Sequence, residues 1–400
     1  MAHRPYSLLA AALVAVLLAS PWAATGQITK LVPPDSAAAN YFGTSVALDG
    51  EWAVLGATGT QSCGPNSGAA YVYRRSATGA WQQHQMLMPS DCHEDHFFGN
   101  HVTMSDGWIA VTSNRPYFRE STSNAVYMYA LTEDSTWTER QRIEQPDTLR
   151  TGPFATALAL DGDRLAVTTA GDTGGGTFHG SVYIFRRDDE GTYGLQQRLT
   201  GSVSPRQAVL GVSVALDGHT LAVGASTHTR GEPGFVYLFS DKDTRGNQFT
   251  ERQILRGIQS FFIPIDVDGD RLVIGENRGR HDKSGRVRIL ERNAGGSWLE
   301  TAQLRPRVPF ADGAFGTLVR VSGDRILAVG YDEQLALEVN IDRIAYAFRF
   351  DPSEQAWTLE QVVDVGDTSF ASAIDLDGAM ALIGHAGDGK AGQAYIVRLR

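Results

Sequence analysis

The densest run of metal-ligating side chains is Cys92-His93-Glu94-Asp95-His96, with His101 close behind. Thiolate, imidazole and carboxylate are the usual ligands of zinc and related ions. The spacing matches no fixed ligand pattern, and His101 falls in a run that reads as a strand. The cluster is therefore read as a solvated loop, and no metal is expected. Recognition chemistry has better candidates. Arg115, Tyr117, Phe118 and Arg119 place aromatic and cationic groups in one polar segment. His228 with Arg230, and Arg278, Arg280, His281 and Lys283, add positive charge from two others. Guanidinium groups beside aromatic faces suit an anionic ligand such as an acidic glycan. Catalytic patterns do not emerge: there is no Gly-x-Ser-x-Gly elbow, no His-Glu-x-x-His pair, and no Lys-Ser/Thr after the glycine-rich stretch 171–176. The chain is expected to bind rather than catalyse, with no catalytic residues and no cofactor. An enzyme acting on polysaccharide would have to assemble its acid and base from distant loops.

The elements that position these residues follow from composition and repetition. Charged residues make up 20% and apolar residues 42% of the 400 positions, which suffices for a buried core. Residues 1–26 read as a secretory signal: a basic start at His3 and Arg4, an apolar run from Leu8 to Leu18, and small residues leading to a cut after Gly26. That run is shorter than the ~20 residues of a membrane span, and no later segment is apolar enough. A secreted, extracellular or periplasmic chain is expected, with no membrane span after cleavage. Cleavage removes one arginine and no acid, so the net charge moves from −10 to −11. Nucleic acid is thus not an expected partner.

One unit recurs seven times. Phe42-Gly43-Thr44-Ser45-Val46-Ala47-Leu48-Asp49-Gly50 has counterparts ending at Gly107, Gly162, Gly218, Gly269, Gly323 and Gly378, 51 to 57 residues apart. A second apolar run follows each glycine, as in Trp52-Ala53-Val54-Leu55. After a variable polar loop comes an alternating run such as Ala70-Tyr71-Val72-Tyr73 or Val182-Tyr183-Ile184-Phe185. A fourth run opens on Trp81, Trp137, Tyr193, Phe249, Trp298 or Trp357 and ends on Leu, Ile or Val. Four short alternating strands with Asp-Gly turns describe an antiparallel meander. Seven meanders cover one another when stacked radially, which gives an all-β, seven-bladed β-propeller of residues 27–400. The last copy stops after Tyr395-Ile396-Val397-Arg398, one strand short. Gln27-Ile28-Thr29-Lys30-Leu31 reads as that missing strand and is expected to close the ring.

These residues resemble the FG-GAP repeat of integrin-α-like propellers. The Phe-Gly element stands at Phe42-Gly43, Phe98-Gly99 and Phe315-Gly316, weakens to Leu210-Gly211, Phe154-Ala155 and Phe370-Ala371, and becomes Phe261-Phe262 in the fifth copy. Members of that family often carry a calcium loop between the first two strands, but here that loop is reduced to a tight turn. Asp266-Val267-Asp268-Gly269-Asp270 and Asp375-Leu376-Asp377-Gly378 are its nearest remnants, and are read as structural turns rather than calcium sites. The chain is similar to the calcium-free bacterial branch of these repeats.

In a four-stranded meander the 2–3 and 4–1 connections emerge on one face. The 2–3 loops here are long and diverse, and the resemblance implies that this face takes the ligand. Cys63 and Cys92 both fall on it, and a disulfide between them is expected. The expected function is a monomeric interaction module binding an extracellular protein or glycan through that face. A lectin with repeated sugar pockets is the alternative, although the 2–3 loops share no common residue set.

Overall fold

The computed structural model of this chain describes residues 27–33, 41–113, 124–146, 153–169, 180–202, 208–227, 232–242, 248–260, 262–277, 284–306, 314–331, 343–363, 371–387 and 391–400. The signal segment 1–26 lies outside the described residues. Each apolar run of the seven repeats is a strand, and the strands form seven four-stranded antiparallel sheets arranged as a propeller. Blades 1 to 6 span 42–87, 98–144, 154–199, 208–258, 265–304 and 319–363. Blade 7 combines 373–398 with the N-terminal strand Ile28–Leu31. That strand pairs antiparallel with Gln393–Arg398, from Ile28 opposite Val397 to Leu31 opposite Ala394. The first strand of every blade packs on the first strand of the next, and that of blade 7 on that of blade 1.

The core lies between blades rather than within them, because a single sheet has two apolar faces and no layer of its own to cover them. One cluster joins Leu31, Leu382 and Ile396 of blade 7 to Phe42, Leu55 and Tyr71 of blade 1. Another joins Val54 and Val72 of blade 1 to Phe98, Ile109 and Trp137 of blade 2. The Phe-Gly element has two jobs here. Its phenylalanine is fully buried and meets the third-strand tyrosine of its own blade edge-on, as in Phe42–Tyr71 and Phe98–Tyr127, both with centroids 5.5 Å apart. Its glycine makes the bulge that shifts register between Phe98 and Val102. Gly99 has φ 90°, and a Cβ there would meet the Ala69 carbonyl at 2.4 Å.

Two expectations about register are corrected. In the fifth copy the element is not Phe261-Phe262. Phe261 lies outside the described residues, Phe262 is exposed, and Ile263 is buried with φ 47°. Ile263 also accepts the Ser213 hydroxyl at its carbonyl, 2.6 Å, as Gly99 accepts that of Ser45 at 2.8 Å. In the second copy the counterpart of Asp49-Gly50 is Ser105-Asp106, not Asp106-Gly107. The first residue of the two-residue turn is glycine in six blades, with φ 50° to 58°, and Asp106 with φ 50° in blade 2. Aspartate tolerates that left-handed conformation better than most side chains.

The aspartate before the turn is therefore a strand residue, and its purpose lies in the next blade. Each first strand is a sheet edge with amides that no neighbouring strand pairs. Asp49 accepts from the Asp106 amide, Ser105 from Gly162, Asp161 from Gly218, Asp217 from Gly269, Asp268 from Gly323, Ser322 from Gly378, and Asp377 from Gly50, all at 2.5 to 3.2 Å. The seven bonds form a closed belt around the axis. A second clamp works at the outer strands. Gln85, Gln141, Gln197 and Gln253 each bond both the amide and the carbonyl of the aromatic residue opening the next blade's fourth strand, at 2.7 to 3.0 Å.

Candidate functional site

The long-loop face is described best at the junction of blades 1 and 2. Here the 2–3 loop of blade 1 is joined to the connection entering blade 2. Cys63 and Cys92 form a disulfide, with Cα atoms 5.9 Å apart. Around it the Asp95 amide donates to the Pro65 carbonyl (2.8 Å), the Phe97 amide to that of Asn66 (2.9 Å), and the Asn66 side-chain amide to the Asp95 carboxylate (3.0 Å). Two loops that would each wander alone thus form one braced ledge.

Beside the ledge lies a polar cluster. The Tyr127 hydroxyl donates to Asp91 at 2.7 Å and lies 3.1 Å from His96 Nε2. Arg142 Nε sits 3.1 Å from that hydroxyl and 3.0 Å from Asp91 Oδ2, and its guanidinium also meets Glu144. His93 stacks on His96 with ring centroids 4.1 Å apart. Burial, and then the neighbouring His93, push His96 down to about 4, so its ring is neutral at pH 7. Burial also raises the Tyr127 phenol, which stays a donor. The Nδ1 atom of His96 is buried with no hydrogen-bond partner among the described residues. His101 lies in the first strand of blade 2, as expected, where burial lowers it to about 4. The two imidazole planes lie 21° apart. Among the described residues no group of three or more His, Cys, Asp or Glu is placed to hold a metal ion.

The other sequence-derived candidates, Arg115, Tyr117, Phe118, Arg119, His228, Arg230, Arg278, Arg280, His281 and Lys283, all lie outside the described residues. Sequence reasoning missed Asp91, Tyr127 and Arg142 as partners. Tyr127 was visible only as a core aromatic, and Arg142 stands 50 residues from Cys92 in a strand.

The acidic pairs read as turn remnants also do more than shape turns. Asp266 accepts from the Val321 amide (2.8 Å) and Asp375 from the Leu48 amide (2.7 Å). Arg320 of blade 6 reaches Asp375 at 3.2 Å. These clamps lie in the blades with the shortest first strands, Ile265–Asp268, Val319–Ser322 and Ala373–Asp377. Burial holds Asp266 up at about 7 despite the relief from Arg320 and the Val321 amide, and Asp375 adds repulsion. A carboxyl raised on folding contributes stability that is full below its unfolded value near 3.8 and is lost as pH rises through about 7. Asp266→Asn keeps the acceptor and removes the charge. It is expected to melt a few degrees above the parent at pH 8 and level with it at pH 4. Parallel melting curves at both pH values would contradict this assignment.

Comparison with known proteins adds the following. The family model described as FG-GAP repeat matches residues 25–73. No curated protein matches the chain. Among solved structures, the chain is similar to a protein from Lactobacillus plantarum, at 13% identity over 80% of this chain and 84% of that one, with a TM-score of 0.48. It is also similar to the periplasmic gluconolactonase PpgL of Pseudomonas aeruginosa, at 14% identity over 81% and 86%, with a TM-score of 0.47. Neither likeness carries an inference about function. The molecule is a seven-bladed propeller with an FG-GAP-type motif in its first blade. Among the described residues no helix is long and apolar enough to cross a membrane.

Proposed function

We propose that the chain is an exported, integrin-α-like FG-GAP propeller that binds an extracellular protein or glycan through its long-loop face and catalyses no reaction. The observation that carries this reading is the braced ledge at the blade 1–2 junction. A disulfide and three loop-to-loop hydrogen bonds fix two connections on that face. Fixing loops before a partner arrives lowers the entropy lost on binding, which is how a rigid scaffold gains affinity. The arginine- and aromatic-rich segment around Arg115 and Tyr117 belongs to the adjacent 2–3 loop in sequence.

The test uses the 27–400 chain on an array of neutral and acidic glycans, and in parallel on surface proteins of the producing cells. A selective signal is expected. It should fall about tenfold in Arg115→Ser/Arg119→Ser and in Cys63→Ala/Cys92→Ala, the scale set by losing one or two charge-assisted contacts. Absence of any selective signal that either variant weakens, or cleavage of a bound polysaccharide, would overturn the reading.

A further inference from the structure

The face opposite the long loops carries two clefts that occupy the same place in two different blade junctions. One, of about 980 Å³, lies between blades 7 and 1. The other, of about 650 Å³, lies between blades 4 and 5. In both, one wall is the tight hairpin between the third and fourth strands of the later blade, 75–79 or 292–296. The opposite wall is the start of the second strand of the earlier blade, Met380 or Thr220, and the end of its third strand, Arg398 or Ser240. Arg75 and Arg292 are equivalent: each is the last residue of its third strand and pairs with the tryptophan that opens the fourth, Trp81 or Trp298.

The charge of these clefts runs against that of the protein. On a chain of net charge −10, the described lining of the larger cleft gathers Arg74, Arg75 and Arg398 around one carboxylate, Glu51. Glu51 is already bound to Arg74 at 2.9 Å, and Arg74 lies over the Trp52 ring at 4.9 Å. Arg75 and Arg398 have no side-chain hydrogen bond or ion pair among the described residues. Hydroxyls of Ser76 and Thr78 and the side chains of Gln82 and Gln83 line the space between them. In the smaller cleft the equivalent arginine is consumed internally: Arg292 bonds Asp270 at 2.6 Å and the Thr220 hydroxyl at 3.2 Å.

We infer that the cleft between blades 7 and 1 is a binding site for an anionic saccharide, with Arg75 and Arg398 receiving its sulfate or carboxylate groups and the neighbouring hydroxyls and amides its ring hydroxyls. Two guanidiniums without internal partners supply forked donors for planar or tetrahedral oxyanions. The lining is polar and open, which suits a hydrated, elongated sugar rather than an apolar ligand. This site is independent of the long-loop face and stands or falls separately from it.

Calorimetric titration of the 27–400 chain at low salt tests this, with a sulfated tetrasaccharide, a uronate tetrasaccharide and a neutral one as probes. One site per chain is expected for at least one charged probe and none for the neutral probe. Arg75→Ser/Arg398→Ser should weaken it about tenfold or more, since charge-assisted bonds are the strong ones lost. The charge-matched pair Arg140→Ser/Arg305→Ser, and Cys63→Ala/Cys92→Ala, should leave it unchanged. No binding of either charged probe would overturn the proposal. So would unaltered binding by the double cleft variant, equal weakening by the charge-matched pair, or loss through the disulfide variant.

Discussion

Deleting residues 27–33 is expected to abolish the cooperative fold at physiological temperature. The deletion removes four paired positions with Gln393–Arg398 and the bond from the Arg398 amide to the Gln27 carbonyl. It also strips Leu31, 4% exposed, from the cluster that joins blade 7 to blade 1. Losing a buried leucine costs about 2–5 kcal/mol, and each ladder bond about 1 kcal/mol. The total approaches the 5–15 kcal/mol by which domains are stable. It also leaves Gln393–Arg398 as an open edge, which promotes association between chains. A chain starting at residue 34 should be aggregated or molten by circular dichroism and gel filtration. Adding the synthetic peptide 27–33 in trans should recover folded monomer, because an extended peptide can complete a sheet edge. A truncated chain that melts cooperatively within a few degrees of the parent would contradict the closure.

Replacing Cys63 and Cys92 together with alanine is the second large effect. The bridge spans a sequence separation of 29 residues. Chain-entropy arguments give about 3–4 kcal/mol for a loop of that length. The cost should appear in urea unfolding as a lower midpoint with a steeper slope, since the unfolded chain without the bridge is less compact and exposes more surface. Hydrogen exchange should quicken first in the connection 88–97, where the amides of Asp95 and Phe97 reach across to the other loop. A loss below about 1 kcal/mol would mean that the hydrogen bonds alone hold the ledge, and that bracing is not what the bridge supplies.

The ring itself was readable because its cause is local. Alternation with period two and the aromatic residue at the start of six fourth strands lie within single repeats, and each corresponds to a described strand. What the sequence hid are relationships across a repeat. Asp49 looks like turn chemistry when read beside Gly50, yet its carboxylate serves the amide of Asp106, 57 residues away. The clue was present in the recurrence of Asp or Ser at that place, but turn propensity offered a nearer explanation. The same holds for Gln85, Gln141, Gln197 and Gln253, whose spacing of 56 residues is the repeat itself. The fifth copy misled for another reason: Ile263 replaces the Phe-Gly pair with a buried aliphatic at positive φ, a conformation that no β-branched residue advertises. The anionic-ligand cleft was invisible because Arg75 and Arg398 come from opposite ends of the chain and meet only when the circle closes.

Native-state hydrogen exchange, followed by mass spectrometry, addresses the closed ring most directly. Peptides covering 27–33 should exchange as slowly as those covering 393–398, and both should open together with the innermost strand Phe42–Asp49 near the global unfolding free energy. Exchange of 27–33 within seconds, while the seven sheets remain protected, would show an open propeller whose first segment is not part of its last blade.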